Sequence, residues 1–111
     1  SIKRVFRPSS WDKEFLAFLR DQDPLQPTQV PLDWVGAMDR WISEFTKSEK
    51  ADYPVHIIQG DNDKTLNWKY NISQFQLKFN ALQVSIIPRA NHHLVNEEET
   101  LRENIFAKIK L

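Results

Sequence analysis

The chain has 111 residues, with 15 Lys and Arg set against 15 Asp and Glu, so its formal charge is zero and gives no electrostatic reason to expect nucleic acid or an anionic membrane as partner. It contains no cysteine, which excludes a disulfide framework and a thiolate metal site. Its two glycines, Gly36 and Gly60, are too few for a glycine-rich phosphate loop or a G-x-S-x-G nucleophile elbow.

The chain opens on Ser1-Ile2-Lys3, its single methionine is Met38, and it reads as a cleavage product or a trimmed fragment. Lys3, Arg4 and Arg7 form its one basic cluster, best read as a solvated terminus. Ser10 is placed to cap a helix running to about Arg20, with Trp11, Phe15, Phe18 and Leu19 as an apolar stripe. Pro24, Pro27 and Pro31 then rule out a continuing helix and predict an extended connector. A long helix follows from Leu32 to Ser48, where Trp34, Met38, Trp41, Ile42 and Phe45 recur at helical spacing. These aromatics read as core, and Gly36 among them as a point where a neighbour packs closely. Residues 1–50 are therefore taken as one helical segment and residues 51–111 as a second unit.

After a polar linker from Lys47 to Tyr53, Val55-His56-Ile57-Ile58-Gln59 is a short β-branched run bounded by Pro54 and Gly60. It reads as a buried parallel strand. Trp68 to Asn80 reads as an amphipathic helix carrying Ile72, Phe75, Leu77 and Phe79. Gln83 to Ile87 reads as a second strand. Glu97 to Lys110 is expected to close the chain as a helix with Leu101, Ile105, Phe106 and Ile109 on one face, acids at its start and lysines at its end. Strand, helix and strand within about thirty residues make a βαβ unit with parallel strands and a right-handed crossover. Two parallel strands are a poor stopping point for a sheet, which implies a further partner for the first of them. No apolar run approaches membrane-spanning length and no signal peptide is visible, so the expected location is cytoplasmic.

Each strand ends on a loop bearing chemistry: Gly60-Asp61-Asn62-Asp63 after the first and Pro88-Arg89-Ala90-Asn91-His92-His93-Leu94 after the second. In open parallel sheets ligands meet the loops beyond the carboxyl ends of the strands. An acid at 63 can hold the imidazole of His92 in one tautomer and leave its other nitrogen to serve a nucleophile. The plain alternative is that Asp63 is a turn residue and His92 a surface histidine capping the last helix. His56, inside a strand, reads as a packed, hydrogen-bonded histidine, and His93 as structural or at a pocket edge. Lys64 and Arg89 near these loops read as solvated side chains, with pairing to Asp61 or contact with substrate as the alternatives. No H-x-x-x-H or H-E-x-x-H spacing exists, so no metal is expected, and no cofactor is implied.

These two segments, in this order and spacing, resemble the C-terminal end of α/β-hydrolase serine hydrolases. In that family the acid lies three positions past the glycine that follows the penultimate strand, which maps to Asp63 and not Asp61. The catalytic histidine follows a P-G-A-G-H-like turn, which maps to His92. His93-Leu94-Val95-Asn96-Glu97, with Asp23-Pro24-Leu25 upstream, is similar to the lysophospholipase and monoacylglycerol-lipase-like branch grouped with serine aminopeptidases. The family has glycine where this chain has Arg89 or Asn91. Asparagine tolerates a left-handed backbone; arginine at a position of positive φ is a poorer fit.

The resemblance implies an α/β fold in which this chain is the C-terminal fragment: a βαβα unit with two parallel strands, preceded by helices. It implies that Asp63 and His92 are two members of a Ser-Asp-His triad, with an ester or lipid-like small molecule as substrate. None of Ser9, Ser10, Ser43, Ser48, Ser73 or Ser85 lies in an elbow, so the chain by itself is expected to be inactive. The alternatives are an interaction module that pairs or swaps as a homodimer through the edge of strand 55–59, and a hydrolase-like ligand binder without turnover.

Overall fold

The structure is a computed structural model that describes residues 1–109; Lys110, placed by the sequence in the last helix, and Leu111 lie outside the described residues. The elements are a short strand β1 (Ile2–Lys3), helix α1 (Lys13–Asp21), strand β2 (Gln29–Val30), helix α2 (Leu32–Lys47), strand β3 (Val55–Gly60), helix α3 (Trp68–Lys78), strand β4 (Leu82–Ile87), a 3-10 turn (Leu94–Asn96) and helix α4 (Glu99–Lys108). The fold is mixed α/β with two small two-stranded sheets.

β3 and β4 pair in parallel, in the register Val55 with Leu82 through Gly60 with Ile87, and α3 makes the crossover. Asn67 caps α3 by accepting from the Tyr70 N–H. The Ala51 N–H donates to the Lys78 carbonyl, and Asn80 N–H to that of Ala51, which ties the linker to the end of α3. On strand β3, His56 Nε2 lies 2.8 Å from the Ser85 hydroxyl of β4, a partnered histidine inside the sheet.

The core is small and lies at the carboxyl end of the strands. Ile87, Ala90, Leu101 and Ile105 are buried together, with Ile58 and Leu94 packed against them. Each large aliphatic side chain so covered contributes on the order of 2 kcal/mol. The last helix is shorter than its apolar pattern suggested. Leu94–Asn96 forms a separate turn, Glu97 and Glu98 have extended ψ angles, and α4 begins only at Glu99.

The first fifty residues depart further from the sequence reading. α1 is capped by Asp12, whose side chain accepts from Phe15 N–H, and not by Ser10. Trp11 therefore lies ahead of the helix, and its indole N–H donates to the Arg89 carbonyl at 2.7 Å. The proline-rich connector is not wholly irregular: Gln29 and Val30 pair antiparallel with Lys3 and Ile2. The aromatic stripe of α2 is not core. Trp34 is 55% exposed and Trp41 59%, and Met38 and Ile42 are exposed beside them. Among the described residues, a methyl added at Gly36 would meet only the Arg40 guanidinium of the same helix at 3.5 Å, so no neighbouring element packs closely there. α2 touches the rest of the molecule chiefly at its end, where Phe45 lies 5.8 Å from Phe75 and the Lys78 ammonium donates to the Thr46 and Ser48 carbonyls.

The molecule is correspondingly spread. Its radius of gyration is 16.1 Å, against about 13 Å for a compact domain of similar length. Its accessible surface is 8493 Å², against roughly 6,400 Å² for a compact monomer of this mass. Among the described residues, no helix is long and apolar enough to cross a membrane.

Candidate functional site

The loops leaving β3 and β4 meet because their backbones interlock. The Asp61 N–H donates to the Ile87 carbonyl (3.2 Å) and the Asn62 N–H to that of Ala90 (3.0 Å). In return the Arg89 N–H donates to the Asp61 carboxylate at 2.7 Å, and Asn62 Nδ2 donates to Asn91 Oδ1 at 2.6 Å. Asp61 is thus used by the backbone of residue 89; the Arg89 guanidinium reaches Glu98 instead, at 3.4 Å on the surface. Gly60 makes this approach possible. A Cβ there would stand 2.6 Å from the Ala90 carbonyl carbon and 2.8 Å from the Asn91 oxygen, and nearer still to the Ala90 oxygen. The turn after β4 passes through a left-handed residue, and that residue is Arg89 (φ 67°), whereas Asn91 has no positive φ.

Within this frame Asp63 is fixed from both sides. Its Oδ1 accepts from the backbone N–H groups of Thr65 (2.8 Å) and Leu66 (3.1 Å). Its Oδ2 accepts from Gln59 Nε2 (3.2 Å) and lies 2.9 Å from His92 Nδ1. The Asp63 side chain is only 4% exposed. Burial pushes its carboxyl pKa up, but the bonds from His92, Leu66, Thr65 and Gln59 together outweigh burial and leave it below the ordinary value. An ionised carboxylate only accepts, so the proton between the two side chains belongs to Nδ1 of His92. That leaves Nε2 of a neutral His92 with a lone pair and, among the described residues, no hydrogen-bond partner.

His92 borders a cavity of about 540 Å³, together with His93, Thr65, Ser9, Arg4 and Arg7. The Arg7 guanidinium donates to the Lys64 carbonyl at 3.0 Å, which ties the N-terminal segment to the loop carrying Asp63. His93 also lines the cavity. Its N–H donates to the Ser9 carbonyl at 2.9 Å and its ring meets Phe15 edge-on at 5.4 Å. Burial, then the neighbouring His92 and Arg4, hold its imidazole pKa below the usual histidine value, against a smaller opposing pull from Asp63. Among the described residues no serine hydroxyl is hydrogen-bonded to His92. Among the described residues, no set of three His, Asp or Glu side chains is gathered as a metal would require.

The sequence reading has Glu97 only as the start of the closing helix and the last residue of the His93–Glu97 segment, with no role of its own. It is instead fully buried, and its carboxylate accepts from Ser10, Trp11, Asn91 and Glu98. Spacing alone carries no signal for such a role.

The arrangement on the rim is an ordered acid, an oriented imidazole and an open cavity beside the imidazole. Compared with known proteins, the chain matches no protein-family model, no curated protein and no solved structure.

Proposed function

We propose that this chain is the C-terminal part of an α/β-hydrolase-type serine hydrolase, supplying the orienting acid, Asp63, and the general base, His92. The reading is carried by one observation: a buried carboxylate held by two backbone N–H groups stands 2.9 Å from Nδ1 of an imidazole that is 32% exposed. A histidine placed this way takes a proton from a hydroxyl at Nε2 and returns it to the leaving group, while the acid stabilises the imidazolium formed in between. The hydroxyl, a serine in an elbow, and the amides that stabilise the oxyanion come from chain outside these residues. Support for such a complement comes from the two-stranded parallel sheet, whose outer edges have no strand partner among the described residues, and from the excess of exposed surface. The substrate is then a carboxylic ester of lipid-like type, cleaved through an acyl-enzyme.

The test is covalent labelling of the whole protein by a fluorophosphonate. An upstream G-x-S-x-G serine is expected to label, and His92→Ala to reduce labelling below detection, while residues 1–111 alone turn over no p-nitrophenyl ester. A complete sequence without an elbow, or labelling undiminished in His92→Ala, refutes the assignment. The interaction-module alternative, pairing of two copies along β3, predicts a concentration-dependent dimer of this chain, which sedimentation measures directly.

A further inference from the structure

We infer that Glu97 is the positioning residue of the His92 loop, a buried carboxylate that sets the backbone immediately before the imidazole; this rests on the reading of Asp63 and His92 given above. Glu97 has no exposed surface, and no cation pairs with it among the described residues. A carboxylate so placed is tolerated only when hydrogen bonds replace its water. Its Oε1 accepts from the Ser10 hydroxyl (3.0 Å), the Trp11 N–H and the Glu98 N–H (3.2 Å). Its Oε2 accepts from Asn91 twice, from the backbone N–H at 2.9 Å and from Nδ2 at 3.1 Å.

The second pair matters for chemistry. Residue 91 directly precedes His92, and its side-chain oxygen receives the amide of Asn62 at 2.6 Å, one residue ahead of Asp63. One carboxylate therefore fixes the histidine loop and, through Asn91, the acid loop. Its other oxygen fastens the segment before α1, whose Ser9 carbonyl in turn receives the His93 N–H. Burial pushes the Glu97 pKa up, but the bonds from Trp11, Asn91, Glu98 and Ser10 leave it below the usual glutamate value, so it stays a charged acceptor near neutrality. In Glu97→Gln an amide NH2 replaces one oxygen and faces donors whichever way it turns, Asn91 on one side or Trp11 and Glu98 on the other, so the side chain can no longer hold both segments at once.

The readout is the tautomer of the His92 ring, followed by nitrogen chemical shifts in the folded chain at neutral pH. In the native protein the Nδ1–H form is expected to dominate because Asp63 accepts from it. Glu97→Gln is expected to lower that fraction by about twofold or more, as the ring gains freedom to leave Asp63. Ser10→Ala removes a donor from the far side of the carboxylate and should leave the tautomer unchanged while lowering the melting temperature. Asn91→Ala keeps the glutamate and is expected to give a smaller shift of the same sign. It decides the matter should Glu97→Gln not fold, an unmoved tautomer then overturning the proposal. A native tautomer in a folded Glu97→Gln, or an equal change in Ser10→Ala, also overturns it. A native chain with His92 in the Nε2–H form removes the dyad itself and this role along with it.

Discussion

The rim at the end of β3 and β4 and the face of α2 invert the usual rule of burial, each in its own direction. At the rim, Asp63, Asn91 and Glu97, all polar, are buried and fully hydrogen-bonded. On α2, Trp34, Met38, Trp41 and Ile42, all apolar, face solvent. The difference teaches that local pattern does not set burial; cross-chain partners do. The rim draws on residues 9–11, 59–66 and 89–98, so its buried polar side chains meet counterparts from distant parts of the chain. α2 satisfies its backbone internally, stacks Trp41 on its own Phe45 at 5.3 Å, and meets an aromatic neighbour near its end, where Phe45 lies 5.8 Å from Phe75. An apolar stripe of this width is normally turned toward a core, and here it is turned toward solvent.

The largest effect should come from closing the gap that lets the two loops touch. Gly60→Ala places a methyl against the Ala90 carbonyl, a backbone group that cannot step aside without moving the whole turn. We expect a loss of about 3 kcal/mol in urea unfolding, together with separation of Asp63 from His92. A loss below about 0.5 kcal/mol would mean the loops are not held in contact. Asp63→Ala ranks next, at about 2 kcal/mol, because the N–H groups of Thr65 and Leu66 lose their acceptor.

The pH dependence has a definite sign. Asp63 and Glu97 both have lowered folded pKa values, so their stabilisation is full above the unfolded values near pH 4 and fades as pH falls through the folded ones. His93 is also lowered, so it favours the fold above about pH 6.5 and withdraws that support as pH drops through its folded value. Urea midpoints should therefore decline gently below neutrality and steeply below about pH 4, with Asp63→Ala flattening the acid limb.

The rim was legible from sequence to the extent that it depends on short-range order. Val55–Gly60 and Leu82–Ile87 are β-branched runs with hard stops, and the βαβ rule then brings Asp63 and His92 to neighbouring strand ends. Glu97 was not legible, because its burial depends on Ser10 and Trp11, far away in the chain. The same distance explains Ser10 itself, which reads as a helix cap and instead spends its hydroxyl on Asn96 and Glu97. The pairing of Gln29–Val30 with Ile2–Lys3 was hidden for another reason: two-residue strands show no alternation. The departure at Arg89 was visible as an arginine where a glycine suits the turn, and it is that residue which adopts positive φ.

Arg89 gives a prediction of moderate size and favourable sign. Its main-chain roles, donating to Asp61 and accepting from Trp11, survive any side chain, and its guanidinium makes only an exposed pair with Glu98. Arg89→Gly should therefore raise stability by about 0.5–1 kcal/mol through relief of the left-handed backbone, seen as a higher urea midpoint.

The smallest effect is the one that most directly tests the open face of α2. Trp34→Lys removes an indole that is already more than half in water and that, among the described residues, joins no aromatic pair, unlike Trp41. If the face is open, stability should change by less than about 0.5 kcal/mol, and the variant should stay soluble at higher concentration. If the indole were packed as core, its loss would cost about 3 kcal/mol or more. That gap of several-fold, read from one pair of unfolding curves, separates a surface that awaits a partner from one that already has it. An intermediate loss that grows with protein concentration would instead identify the partner as a second copy of this chain, since stability coupled to association depends on concentration.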